Sequence, residues 1–353
     1  MTLAAGGATL VVGIWLGMDR AGWDVGRPSP ELAAVHGPLL VFGFLGTLIG
    51  LERAVALRRR WGYAAPGLTI AAAAALLGGL PQSVGQALLT GAGLVVAGLF
   101  AIVVRAHAST SNVILLAGAL IWAGSGAVWA STSLTVVTAW WASFLVLTIL
   151  GERLELAPLR GSGVLRPLLP LGLSSLVLGL VVTLAVPDAG VRVVGASFVG
   201  VALWLLRFDV ARRTIRRPGL PRFMGVGLLA GQVWLVVAGV VWLLDGAVAF
   251  GPRHDVAVHG VFLGFVMGMV FAHALVILPG VAGIRVPFHR GFYLPFGALH
   301  AGLALRVTGD LGEWPTGARW GALVNGVAIV SFAALAVATV AVSRHGRRSA
   351  GAR

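Results

Sequence analysis

Cysteine and lysine are both absent from this chain of 353 residues, and charged side chains of every kind make up only 11% of it. Without cysteine there is no disulfide, no thiolate zinc site, no iron–sulfur cluster and no covalently attached c-type haem. Any metal or redox chemistry therefore has to use histidine, carboxylates or methionine. Without lysine, arginine carries the whole basic complement, including the formal net charge of +14. Extended polar stretches are also missing, so no loop is long enough to form a second domain.

What fills the chain is apolar. Hydrophobic residues make up 58% of it, mean hydropathy is +0.95, and apolar runs of about 17 to 25 residues recur along the whole length, as membrane-crossing helices require. The pattern predicts an all-α polytopic membrane protein with about twelve transmembrane helices, over 2–18, 31–51, 62–81, 86–106, 111–131, 134–151, 166–187, 190–207, 222–244, 255–278, 290–308 and 318–343. The first segment has no preceding basic region and no evident cleavage site, so it is expected to be a retained helix and not a signal peptide. Residues 1–343 read as a single transmembrane domain and 344–353 as a basic cytoplasmic tail.

The arginines alternate between loops. Those after the second, sixth, eighth and tenth segments hold Arg53, Arg58, Arg59 and Arg60; Arg153, Arg160 and Arg166; Arg207, Arg212, Arg213, Arg216, Arg217 and Arg222; and Arg285 and Arg290. The tail adds Arg344, Arg347, Arg348 and Arg353, whereas the other loops carry Asp19, Asp24, Glu31, Asp245, Asp255, Asp310 and Glu313. The positive-inside rule then predicts cytoplasmic N and C termini in a bacterial inner membrane. A basic rim against anionic lipid accounts for the net charge, so the expected partner is the bilayer and no nucleic acid is needed.

Two segments open alike: Ala34-Val35-His36-Gly37 begins the second and Ala257-Val258-His259-Gly260 the tenth. Even-numbered helices run the same way, so both imidazoles are expected at one depth, where one metal can take both. Related features also recur every four helices, because the second and sixth segments end in Glu52-Arg53 and Glu152-Arg153. At ~100° per residue, Gly43, Gly46 and Gly50 fall within ~80° of His36, a stripe expected to leave a slot for a flat macrocycle. Gly260, Gly264 and Gly268 form a small-residue ridge suited to helix packing. His273 shares a face with His259 but is expected ~21 Å deeper.

Twelve helices with histidines on the second and tenth resemble the haem–copper oxidase superfamily, and the stretch His36-Gly37-Pro38-Leu39-Leu40-Val41-Phe42-Gly43-Phe44-Leu45-Gly46 is similar to the second helix of the NnrS family. The resemblance implies three four-helix arcs, haem b with His36 and His259 as axial ligands, copper as a further metal, and a role in nitric oxide handling. An electron donor or small gaseous ligand is then a further partner. The copper ligands of an oxygen reductase have no counterpart, because the sixth segment has Trp140 and Trp141 but no histidine or tyrosine, and the seventh has no histidine pair. The oxidoreductase reading therefore disfavours a proton-pumping oxygen reductase.

His300 and His273 are candidates for a second centre, His300 as an axial ligand or member of a three-histidine copper site, and His273 because an ionisable residue inside an apolar run is costly. Arg253, Arg306 and Arg319 are candidates for binding haem propionates, or else for pairing with nearby acids. Glu52, Arg53, Glu152 and Arg153 read as salt-bridged helix ends, with a proton or metal site beside His273 as the functional alternative. Two other functions fit the composition: a twelve-helix secondary transporter using histidine for proton or substrate coupling, and a cofactor-free respiratory assembly factor.

Overall fold

The computed structural model describes residues 2–26, 28–156 and 168–350. These residues are helical, with no strand among them. In chain order the principal helices are α1 (Thr2–Arg20), α2 (His36–Leu57), α3 (Ala64–Leu77), α4 (Gln82–Ala106), α5 (Thr110–Ser131), α6 (Leu134–Glu155), α7 (Leu168–Thr183), α8 (Pro187–Phe208), α9 (Leu220–Asp245), α10 (Pro252–Val281), α11 (Tyr293–Leu311) and α12 (Pro315–Val342). Among the described residues, nine of these are long and apolar enough to cross a membrane. The other three are α3 and α7, which have 14 and 16 residues against the ~20 that span hydrocarbon, and α11, whose lower mean apolarity reflects His300, Arg306 and Asp310. Arg160, Arg166 and Arg353 lie outside the described residues. The backbone of the expected tail continues α12 as helix to Ala350.

Local chemistry sets the helix ends. Ser109 caps α5 by accepting from the Asn112 amide, and Pro187 and Pro252 open α8 and α10 where a missing N–H costs nothing. Gly283 closes α10 in the left-handed conformation. Outward faces carry large apolar side chains such as Leu171, Leu244, Phe250 and Leu294, a surface that suits lipid.

Helices adjacent in sequence pack side by side. The series α3–α4–α5–α6 and α7–α8–α9–α10 are each continuous, and α11 packs on α12, α12 on α1 and α1 on α2. The C-terminal parts of α2 and α10 meet, and His36 and His259 at their N-terminal ends are neighbours, so these two helices run the same way. Two apolar clusters flank them, one built on α2–α10, the other on α10, α11 and α12 with Phe223 of α9. Phe44 and Val270 pack against both clusters yet stay only half-buried.

Neither central helix is α-helical throughout. Leu39–Gly46 in α2 and Gly260–Met267 in α10 are π-helical. Such segments are rare, and their wider hydrogen-bond loop re-phases every side chain beyond them. The two segments carry a Gly-Phe pair at the same internal position, Gly43-Phe44 and Gly264-Phe265.

Helices α8 and α9 touch backbone to backbone: a Cβ on Gly195 would lie 2.5 Å from the Leu243 nitrogen, and one on Gly239 2.8 Å from the Gly195 oxygen. Neither obstacle is a side chain that can turn away. Gly239→Val is therefore expected to destabilise the protein by about 1–3 kcal/mol, read as a lowered midpoint of thermal unfolding by tryptophan fluorescence in detergent. An unchanged midpoint would contradict this contact.

Candidate functional site

His259 sits immediately before its π segment, and His36 three residues before the start of its own. The His36 ring lies on α1, its Nδ1 2.6 Å from the Gly13 carbonyl oxygen. Gly17 makes room for it, since a Cβ there would come within 2.6 Å of the His36 Cε1. A carbonyl only accepts, so Nδ1 carries the proton and Nε2 carries the lone pair. The His259 Nδ1 likewise lies 3.0 Å from the Asp255 carbonyl oxygen and 3.1 Å from its carboxylate. Neither Nε2 has a hydrogen-bond partner among the described residues. The two rings are near enough for each charge to act on the other, and Arg20 and Arg306 share that neighbourhood.

A two-pronged ion pair holds Asp255 in place. Arg306 donates from Nε to Oδ2 at 2.5 Å and from Nη2 to Oδ1 at 2.7 Å, tying α11 to the first turn of α10. Asp310 stands beside the same carboxylate. The other two arginines at this end are engaged elsewhere: Arg253 pairs with Asp245 at 2.5 Å, and Arg319 stacks 4.1 Å from the Trp23 ring centre. All three arginines expected to meet propionates thus have partners within the protein.

The glycine slot expected on α2 is not present. Gly43 faces the Thr9 side chain of α1, Gly46 faces Trp122 of α5, and Gly50 faces Ala65 and Pro66 of α3. Counting 100° per residue fails across a π segment, so glycines expected on one face meet three different helices, each closely packed. The ridge on α10 does pack: Gly260 and Gly264 face Ala238 and Trp234 of α9, and Gly268 faces the His300 ring.

His300 differs from the first two imidazoles. The Trp234 indole N–H, which can only donate, reaches its Nδ1 at 3.0 Å. The neutral ring therefore carries its proton on Nε2, a buried atom with no partner among the described residues, and offers a metal no lone pair. Among the described residues, no three His, Cys, Asp or Glu side chains group to hold a metal ion.

At the opposite end the two Glu-Arg pairs separate. Arg53 pairs with Glu152 across α2 and α6, with Glu52 at 3.3 Å and Glu155 at 4.0 Å, and lies over Phe100. Arg153 turns the other way to Asp209, its Nη2 2.7 Å from Oδ1. Asp209 also accepts from the Ala211 amide at 2.8 Å and from the Gln232 Nε2 at 3.3 Å. His273 feels the charges of Arg153 and Asp209, and its Nδ1 lies 3.0 Å from the Met269 carbonyl oxygen. Sequence reasoning named Arg153 and His273 but missed Asp209 and Gln232. The available signals were an acid standing alone before an arginine-rich loop and an amide inside the apolar run of α9.

The family described as Domain of unknown function (DUF8744) matches residues 1–341. The chain belongs to that family. No curated protein and no solved structure matches it.

Asp255→Ala leaves Arg306 without its acceptor, while the His259 Nδ1 loses the carboxylate but keeps the main-chain carbonyl of residue 255; the expected cost is about 1–3 kcal/mol for the stranded guanidinium. Adding Arg306→Met should recover part of the loss. Thermal unfolding of the two singles and the double checks this, and strict additivity would refute the coupling.

Proposed function

We infer that the protein is a b-type haem membrane protein that carries electrons or handles nitric oxide, with His36 and His259 as the axial pair. One observation carries the reading: both rings, on parallel central helices, commit Nδ1–H to a carbonyl or carboxylate and leave Nε2 free, the arrangement typical of histidines that bind metal. Held between two imidazoles, haem iron exchanges one electron without an open coordination position.

The donor set fits such a group. Gly13 and Gly17 fix the His36 ring from behind, and the Arg306–Asp255 pair does the same for His259. Phe44 and Val270, half-buried and packed against both apolar clusters, would supply apolar contacts for such a group. The packed glycines of α2 leave it no slot. His300 is left out of the axial set because its tautomer supplies no lone pair, and a copper centre would need donors beyond those that converge here.

Three arcs belong to this reading as well; α3–α6 and α7–α10 each pack in series, and α2 also packs on α3 and α10 on α11, so the packing is continuous along the chain. On this reading α3, α7 and α11 also cross the membrane, and the arginine-rich ends face the cytoplasm of a bacterial inner membrane.

Protein purified from haem-replete cells is expected to be coloured, with a sharp α band on reduction. His36→Ala and His259→Ala should each abolish that same band. A colourless wild type, or the loss of different bands in the two variants, would overturn the assignment.

A further inference from the structure

Around Asp209, at the end of the bundle away from His36 and His259, three buried polar atoms have no partner among the described residues: the Arg153 Nε, the Gln232 Oε1 and the His273 Nε2. They belong to one neighbourhood. Arg153 and Gln232 each bind the carboxylate of Asp209 through another of their own atoms, and His273 is close enough to feel both Arg153 and Asp209. Helices α6, α9 and α10 and the end of α8 therefore converge on a single carboxylate. The Gln232 side chain is fully buried, Asp209 is 4% exposed and the Arg153 side chain is 10% exposed.

An unsatisfied polar atom in such a place costs about 1–3 kcal/mol, and three together call for a guest. Hydrogen-bond valence identifies it. Arg153 Nε–H is a donor and the Gln232 Oε1 is an acceptor. The His273 Nδ1 gives its proton to the Met269 carbonyl, so Nε2 is a second acceptor. The guest must accept once and donate twice. An anion would satisfy the arginine and face two lone pairs, whereas a metal cation would face the guanidinium. Water meets all three requirements and typically makes about three bonds when buried.

We propose that Arg153, Gln232 and His273 enclose a bound water, and that this water and His273 form a proton-exchange site within the apolar bundle. A proton arriving on the water as hydronium passes to the His273 Nε2 and leaves neutral water behind, while Nδ1–H stays on the Met269 carbonyl. The charged groups facing the ring are Arg153 and Asp209, already paired to each other, and the carboxylate offers the imidazolium its counter-charge. The site is separate from the outer imidazole pair and stands whether or not haem binds there.

The test uses the full-length protein in lipid nanodiscs with nitrogen-15 histidine and solid-state NMR, assigning His273 by the signal missing from His273→Gln. The expected spectrum shows a neutral ring protonated at Nδ1 and magnetisation passing from water protons to Nε2. Gln232→Leu, which keeps the Arg153–Asp209 pair, should abolish that transfer and leave the His36 and His259 signals in place. Absence of transfer in the wild type overturns the proposal, as does a folded Gln232→Leu protein in which transfer persists. The wild-type measurement decides even if the variant does not fold.

Discussion

The hydrogen bond made by one nitrogen of an imidazole determines what the other nitrogen can do. In this bundle that rule separates four histidines that look alike in the sequence. His36, His259 and His273 each spend Nδ1–H on an acceptor and keep a lone pair at Nε2, while His300 receives the Trp234 indole and keeps a proton there. The first group can accept a metal or a proton, and His300 can only donate. Water would blur the distinction by offering every ring both kinds of partner, but an apolar interior offers few.

Because partners are few, polar groups in the interior sort by helix. Consecutive residues Glu152 and Arg153 turn to opposite sides of α6, one to Arg53 on α2 and the other to Asp209 beyond α8. The tandem thereby joins two parts of the bundle. Arg306 does similar work at the other end, reaching from α11 to the residue that orients His259. In both places a guanidinium meets a carboxylate near a histidine, and in both the pair ties different helices together.

Much of the architecture was legible in the sequence, because membrane helices announce themselves by length and apolarity. The small-residue ridge of α10 was readable in part: Gly260 and Gly264 pack on α9, while Gly268, beyond the π segment, meets His300 of α11 instead. The glycines of α2 misled for a definite reason. A shared face for them presumes a constant turn per residue, and the π segment at Leu39–Gly46 breaks that constancy. Nothing in the composition of Leu39-Leu40-Val41-Phe42 distinguishes a π turn from an α turn, although Pro38 just before it removes one backbone donor. Asp209 and Gln232 were visible as letters but not as neighbours, since their meeting depends on how α8 and α9 pack.

The paired π segments bear on how such a chain tolerates length change. Each amounts to surplus thread wound into a screw, placed between a histidine and the lower half of its rod. Trimming one residue there would restore ordinary winding and swing everything downstream by roughly a quarter turn, so Gly46, Gly50 and Arg53 would meet new neighbours while His36 kept its place against α1. The upper and lower halves of α2 and α10 can therefore be phased independently, and single-residue indels offer this lineage a way to re-aim one end without disturbing the other.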